Sequence, residues 1–290
     1  MASQKRRDSV NGVWSVAPPG APVSAPPRPS HIESNRRAQS QPVGVAGRSL
    51  PPSVQESQTV GGIAISELSC VFQPIVDLVT GRSFAYEVLA RCRTPGLTNP
   101  EVLFRRAADE QFCGALGRTL RTIASNGCPG IPLFVNVHPA ELADRYVIQP
   151  DDPMYSHDDD VYVEVTESVP FTHYDLCSSV LSEIRARGGV HLVVDDLGAG
   201  YSNLKRIADL EPSVVKLDRS LVTDLDRNAR QRTLVASVVR MCVDLGARVV
   251  AEGLETWAEV QSVRDCGCHF GQGYALGRPD PRPREPIWRL

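Results

Sequence analysis

The sequence predicts an α/β fold: a modified (β/α)8 barrel with an antiparallel first strand, preceded by a disordered N-terminal tail. Three observations carry this expectation. From about residue 66 short β-branched runs alternate with helical patterns, the runs number eight, and the first two are separated only by a tight, glycine-containing turn.

Residues 1–60 hold nine of the 23 prolines, with runs of Ser, Ala, Gln and Arg and almost no periodic apolar pattern. Such a segment buries too little apolar surface to offset the entropy of ordering its chain. It carries seven Lys or Arg against three Asp or Glu, a net of +4, which leaves the remainder near −7 given −3 overall. A solvated leader is a simpler reading of that charge than an arm for acidic partners. The folded domain is expected over residues 66–285.

The candidate strands are residues 70–77, 83–90, 133–137, 161–165, 191–195, 214–217, 248–251 and 269–275. Asp77-Leu-Val-Thr-Gly81-Arg turns too tightly for a crossover helix, so the first two strands should form a hairpin. Helical patterns cover residues 101–111, 116–125, 173–187, 202–208, 228–245 and 256–266. Between residues 139 and 161, Pro150, Pro153 and the run Asp158, Asp159, Asp160 leave room for only a short helix. Arg105, Arg106, Asp109 and Glu110 read as a solvated helix face, and His173 and His191 as unpaired surface or strand-entry residues.

At 42% hydrophobic and 22% charged, the composition is that of a globular protein and excludes a mostly disordered one. No run approaches the roughly 18 to 20 apolar residues of a membrane span, and no apolar stretch follows Lys5, Arg6 and Arg7, so a cytoplasmic protein is expected. The cysteines lack regular spacing, which favours reduced, buried thiols. Cys266, Cys268 and His269 lack a second ligand pair and read as core packing ahead of a strand.

The polar residues that end the apolar strands carry the functional information. In a (β/α)8 barrel those ends converge on one mouth. Strand two supplies Glu87 and Arg91, strand three Asn136 and His138, strand four Glu164 and Glu167, and strand five Asp195 and Asp196. Strand six supplies Lys216 and Asp218, strand seven Glu252 and Glu255, and strand eight Gln272. Crowded carboxylates repel one another, and burying them unpaired is costly, so something positive must sit among them. Oxygen ligands without His or Cys suit hard divalent ions, favouring Mg²⁺ or Mn²⁺ over zinc. The adjacent Asp195 and Asp196 would let one carboxylate bridge two ions, the arrangement of two-metal phosphoester hydrolysis.

With these residues in place the sequence resembles the EAL domain of cyclic di-GMP phosphodiesterases over residues 66–282. The segments that carry the likeness occur in family order: Phe-Gln73-Pro-Ile, Glu87-Val-Leu-Ala-Arg91, Asn136 after an apolar strand, Glu164-Val-Thr-Glu167, Asp195-Asp196-Leu-Gly-Ala-Gly-Tyr-Ser, Lys216-Leu-Asp, Ala-Glu252-Gly-Leu-Glu255 and Gly-Gln272-Gly-Tyr. The resemblance implies a TIM-like barrel that hydrolyses cyclic di-GMP to linear pGpG in bacterial signalling. It implies that Glu87, Asn136, Glu164 and Asp195 ligate a first metal, with Asp195 shared and Asp196 serving a second. Lys216 would hold and polarise the attacking water, and Glu252 would support the second metal or act as general base. Gln73, Arg91 and Gln272 would hold the dinucleotide. Glu167, with Glu255 in a like supporting role, would steady the loop over residues 197–203, which in the family couples metal binding to a dimer interface; a homodimer is therefore an expectation. Neither a nucleic-acid polymer nor a membrane is implied as a partner.

The chain departs from the family pattern at three places: the naming motif reads Glu-Val-Leu, His138-Pro139 stands where a Ser is usual, and Leu197 and Ala199 replace a common Phe and Thr. Two rival readings remain. A catalytically inactive EAL domain could serve as a cyclic di-GMP receptor or protein-interaction module, but such members usually lose a metal ligand or the Lys, and none is missing here. A glycosidase using two strand-end carboxylates would leave Asn136, Lys216 and the Asp195-Asp196 pair without a role.

Overall fold

Eight strands close into a barrel in sequence order in the computed structural model, which describes residues 59–143, 145–166, 174–198 and 204–289. The strands are β1 (Leu68–Asp77), β2 (Ser83–Cys92), β3 (Leu133–Asn136), β4 (Val161–Thr166), β5 (Val190–Leu197), β6 (Val214–Leu217), β7 (Arg248–Ala251) and β8 (Phe270–Gly271). Strand β1 pairs antiparallel with both β2 and β8, and every other neighbour pair is parallel. The expected hairpin forms because Asp77 Oδ1 accepts from Val79 N at 3.0 Å and Thr80 N at 2.7 Å, and Gly81 turns the chain at φ +72°.

The outer layer comprises α1 (Pro100–Asp109), α2 (Cys113–Gly127), α3 (Pro139–Ala143), α4 (Tyr174–Ala186), α5 (Leu204–Leu210), α6 (Arg219–Val222), α7 (Ala229–Asp244) and α8 (Trp257–Asp265). The starts of three helices are set locally. Asn99 caps α1 ahead of Pro100, Asn228 caps α7, and Thr256 and Glu259 form a reciprocal capping box on α8. The gap between residues 139 and 161 holds the five-residue α3 and two 3-10 turns, Tyr146–Ile148 and Pro153–Tyr155. These pack over a buried ionic group on α2, where Arg121 meets Asp152 at 2.7 Å and Glu141 at 2.8 Å.

The pleat divides the strands into two faces. Outward residues such as Val135, Val163, Leu192, Val215 and Val249 join the helices in the main apolar core. Ile75, Ala85, Phe134, Tyr162, Val193, Val214, Val250 and Phe270 form a separate buried cluster, which plugs the barrel. One residue of that plug comes from each strand. Two positions further toward the mouth stand Gln73, Glu87, Asn136, Glu164, Asp195, Lys216, Glu252 and Gln272. Residues two apart share a face, so each strand presents one apolar and one polar side chain inward. In β1 the order is reversed, Gln73 before Ile75, because that strand runs the other way.

Several expectations need correction. Val60, assigned to the tail, is buried, and its N–H donates to Glu110 Oε2 at 2.6 Å. Residues 1–58, the rest of the expected tail, lie outside the described residues. Glu110 is thus tied down by Val60 and Arg106 rather than freely solvated, and its carboxyl is held below the usual range chiefly by the Arg106 hydrogen bond. His191 is not isolated: its Nε2 lies 3.3 Å from Asp160 Oδ1, though without an aligned hydrogen bond, and the ring stacks on Tyr162. Strand β8 is regular for only Phe270–Gly271, where residues 269–275 were expected, because past Gln272 the backbone bonds to Leu254, beyond β7, and turns at Gly273. His173 lies outside the described residues.

The described cysteines, Cys70, Cys92, Cys113, Cys128, Cys242, Cys266 and Cys268, are free thiols, all but Cys266 buried. Among the described residues, no helix is long and apolar enough to cross a membrane.

Candidate active site

Lys216 is the centre of the polar layer. Its side chain is 1% exposed, and its Nζ lies 2.6 Å from Glu164 Oε1, 2.6 Å from Glu252 Oε1, 3.4 Å from Asp195 Oδ1 and 3.6 Å from Glu87 Oε2. Burial alone would push an ammonium toward its neutral form, but the carboxylates around it reverse the balance and hold Lys216 well above its ordinary pKa. It is therefore a fixed cation and a hydrogen-bond donor.

Two of the surrounding acids, Glu164 and Glu252, are pushed the opposite way, toward their neutral forms. Burial, reinforced by Glu87 and Asp195, raises Glu164 well above the usual carboxylate range despite Lys216 beside it. Burial likewise pushes Glu252 up to about 8. One lysine cannot neutralise four carboxylates, and its three hydrogens cannot serve all of them. Glu164 Oε1, though close to the ammonium, has no aligned hydrogen-bond donor among the described residues, and neither does Gln272 Oε1 an aligned partner.

The remaining side chains frame this cluster. Asn136, exposed at the mouth, donates through Nδ2 to Glu164 Oε2 at 2.8 Å and to Glu87 Oε1 at 3.4 Å. Gln272 donates to Glu87 Oε2 and, at 3.3 Å, to Gln73 Oε1, while Gln73 donates to the carbonyl of Gly277 at 3.1 Å. Gly273 allows this placement: a Cβ there would lie 2.2 Å from the Leu254 backbone, so no side chain fits. Asp196 sits at φ +60°, where β5 breaks register with β6, and its N–H donates to Asp195 Oδ1 at 2.9 Å. That kink turns consecutive aspartates toward one place, against the alternation of a regular strand.

Asp195, Asp196 and Glu252 each offer a carboxylate oxygen, and these lie within 4.8 Å of one another. This all-oxygen donor set, beside surplus buried negative charge and unsatisfied acceptors, fits hard divalent cations.

Two cavities flank the cluster. One of about 440 Å³ is lined by Glu87, Leu89, Arg91, Phe104, Asn136, His138, Asp195 and Asp196, among others. The second, of about 280 Å³, is lined by Gln73, Glu87, Arg219, Glu252, Gly253, Glu255, Gln272 and Tyr274. Glu87 lines both, and they stand as a first and a second lobe beside the acids. Arg91 lines the first lobe and donates from its guanidinium to the Ala90 carbonyl at 2.8 Å. Glu255 lines the second and pairs with Arg219 at 2.8 Å, a partner that sequence reasoning missed although Arg219 follows directly on Lys216-Leu-Asp218. Glu167 and residues 199–203 of the expected loop lie outside the described residues.

The family model for the EAL domain matches residues 57–279. The cyclic di-GMP phosphodiesterase PA2567 of Pseudomonas aeruginosa is 34% identical over 227 residues, covering 72% of this chain and 38% of that protein. The cyclic di-GMP phosphodiesterase RocR of the same organism is 31% identical over 266 residues, covering 85% of this chain and 65% of RocR. The chain thus spans between about a third and two thirds of the length of these curated relatives. Among solved structures, the pH 6 manganese/cy-diGMP complex of Klebsiella pneumoniae BlrP1 superposes with a TM-score of 0.66 at 31% identity, covering 77% of this chain and 59% of that one.

Proposed function

The chain belongs to the EAL domain family, and from that premise we propose that it hydrolyses cyclic di-GMP to linear pGpG with the help of two divalent cations, Mg²⁺ or Mn²⁺. The observation that carries this reading is the ring of polar side chains around Lys216 of β6, drawn from β2, β3, β4, β5 and the residue that follows β7. Glu87, Asn136, Glu164 and Asp195 would hold the first ion, with Asp195 shared and Asp196 and Glu252 serving the second. For Asn136 to ligate, its amide must turn so that the oxygen replaces the nitrogen now facing Glu87 and Glu164. When bound, such ions would supply a hydroxide at neutral pH and offset charge on the phosphate.

The protein's own groups have separable tasks. Lys216 stays protonated, so it orients the attacking water and donates to an oxygen on which charge develops; it cannot be the base. Glu252, 2.6 Å from that ammonium, would either support the second ion or accept the water's proton as general base. Gln73 and Gln272 are hydrogen-bonded to one another at the edge of the second lobe, and Arg91 lies in the first, so the dinucleotide would lie across the acids with its scissile phosphate between the lobes. Glu255 would act through Arg219, and Glu167 would steady the loop after β5. The names of PA2567 and RocR, and the cyclic di-GMP held by BlrP1, support the choice of substrate.

The deciding experiment is separation of nucleotides after incubating the full chain with cyclic di-GMP and Mn²⁺ or Mg²⁺. Appearance of pGpG that chelator suppresses supports the reading. Retained binding without turnover would favour a receptor instead.

A further inference from the structure

The first lobe contains a ring whose position is fixed more firmly than a surface histidine requires. His138 lies two residues beyond Asn136 and directly ahead of α3. Its carbonyl accepts from Glu141 N at 2.8 Å, and its Nδ1 accepts from Ala140 N at 3.2 Å, so the side chain caps the helix. Glu141 answers with Oε1, which accepts from the His138 N–H at 3.1 Å. The other oxygen of Glu141 is held by Arg121 at 2.8 Å, and Arg121 is held in turn by Asp152. A buried ionic chain thus clamps the turn that carries the imidazole.

The cap also fixes the ring's chemistry. Because Nδ1 is the acceptor, the ring hydrogen is on Nε2, which has no hydrogen-bond partner among the described residues. The same cavity is lined by Phe104, its ring within 9° of parallel to the imidazole and with centroids 6.3 Å apart. At that spacing the two nearly parallel rings form an offset pair, and because both line the cavity they present adjoining aromatic surface to it. The same lobe opens onto Asp195 and Asp196.

We propose that His138 and Phe104 form a recognition wall for one purine base of the substrate, in which the imidazole does more than cap α3. This rests on the reading of the protein as a cyclic dinucleotide hydrolase. Stacking on an aromatic face tolerates only a planar partner, and losing one such face weakens base binding by about fivefold to about a hundredfold. The rigid cap keeps the face in place before the base arrives, which limits the ordering cost of binding.

The test separates capping from recognition. Serine is also a good helix cap, so His138→Ser keeps the cap and removes the ring. The full chain is titrated with cyclic di-GMP in the presence of Mn²⁺ by calorimetry, and KM is measured alongside. We expect His138→Ser to melt near the unaltered protein yet raise Kd about tenfold, with the loss falling on KM more than on kcat. Phe104→Leu should weaken binding similarly, and His138→Phe should bind more tightly than His138→Ser. Unchanged Kd in both His138→Ser and Phe104→Leu overturns the proposal and leaves the hydrolase reading intact. If the unaltered protein neither binds nor cleaves cyclic di-GMP, both readings fall. If it binds without turnover, the Kd comparison still decides this one.

Discussion

Lys216 and Glu252, on the neighbouring strands β6 and the end of β7, meet at 2.6 Å, joining a fully enclosed ammonium to a carboxylate that is 18% exposed. The pair puts a permanent donor beside a group able to take a proton, at the point where both lobes of the cleft approach the acids. Replacing Lys216 by Met keeps the length of the side chain and removes the donor. Turnover of cyclic di-GMP should fall by at least about a hundredfold, the scale set by losing one well-placed donor to a developing oxyanion. Initial rates under saturating Mn²⁺ check it, and a rate within tenfold of the unaltered protein would remove Lys216 from the chemistry.

The raised carboxyl of Glu252 gives a pH signature. Its folded pKa of about 8 lies above the ordinary carboxyl value of 4.5, so the folded chain binds more protons than the unfolded one between these values. Its contribution to stability is greatest below about 4.5 and is lost as pH rises through about 8. In chelator, the melting temperature should therefore decline from pH 5.5 to pH 8.5. Divalent cations compete with that proton, so the shift in melting temperature on adding Mn²⁺ should grow over the same range. A shift that shrinks as pH rises would contradict this assignment.

Asp195 should be the carboxylate that links both ions. Asp195→Asn preserves shape and some hydrogen bonding but removes the shared charge. Turnover should disappear, and the stabilisation by Mn²⁺ seen in thermal melts should drop to near zero. Retention of full Mn²⁺ stabilisation would place the bridging role elsewhere.

The ionic group behind the first lobe should prove structural. Arg121, with a side chain 4% exposed, answers two carboxylates that are 0% exposed, so Arg121→Ala strands both. A loss of about 3–5 kcal/mol in denaturant unfolding is expected. A loss below about 1 kcal/mol would mean that Asp152 and Glu141 find other partners or take up protons.

Much of the candidate site was legible in the chain. Phe134-Val-Asn136, Tyr162-Val-Glu164, Val193-Val-Asp195 and Val214-Val-Lys216 repeat one motif, an inward apolar residue followed two positions later by an inward polar one. A period of two forces each pair onto one face, and eight strands in succession leave a barrel as the economical closure. The Asp77 to Gly81 turn similarly announced the reversed first strand. What sequence reading missed has a common cause, since Val60 with Glu110, Arg219 with Glu255 and His191 with Asp160 are contacts between segments distant in the chain that no local pattern records.

By itself, then, the sequence determined which residues face inward and which of them end the strands, because side-chain alternation and turn chemistry are local properties. Only the tertiary structure decided that Lys216 lies at the centre of the acids, that the kink at Asp196 brings two consecutive aspartates to one place, and that His138 is locked by a chain running back to Arg121. Those outcomes depend on barrel closure, which brings together strands separated in sequence and removes the water that would otherwise mute their charges.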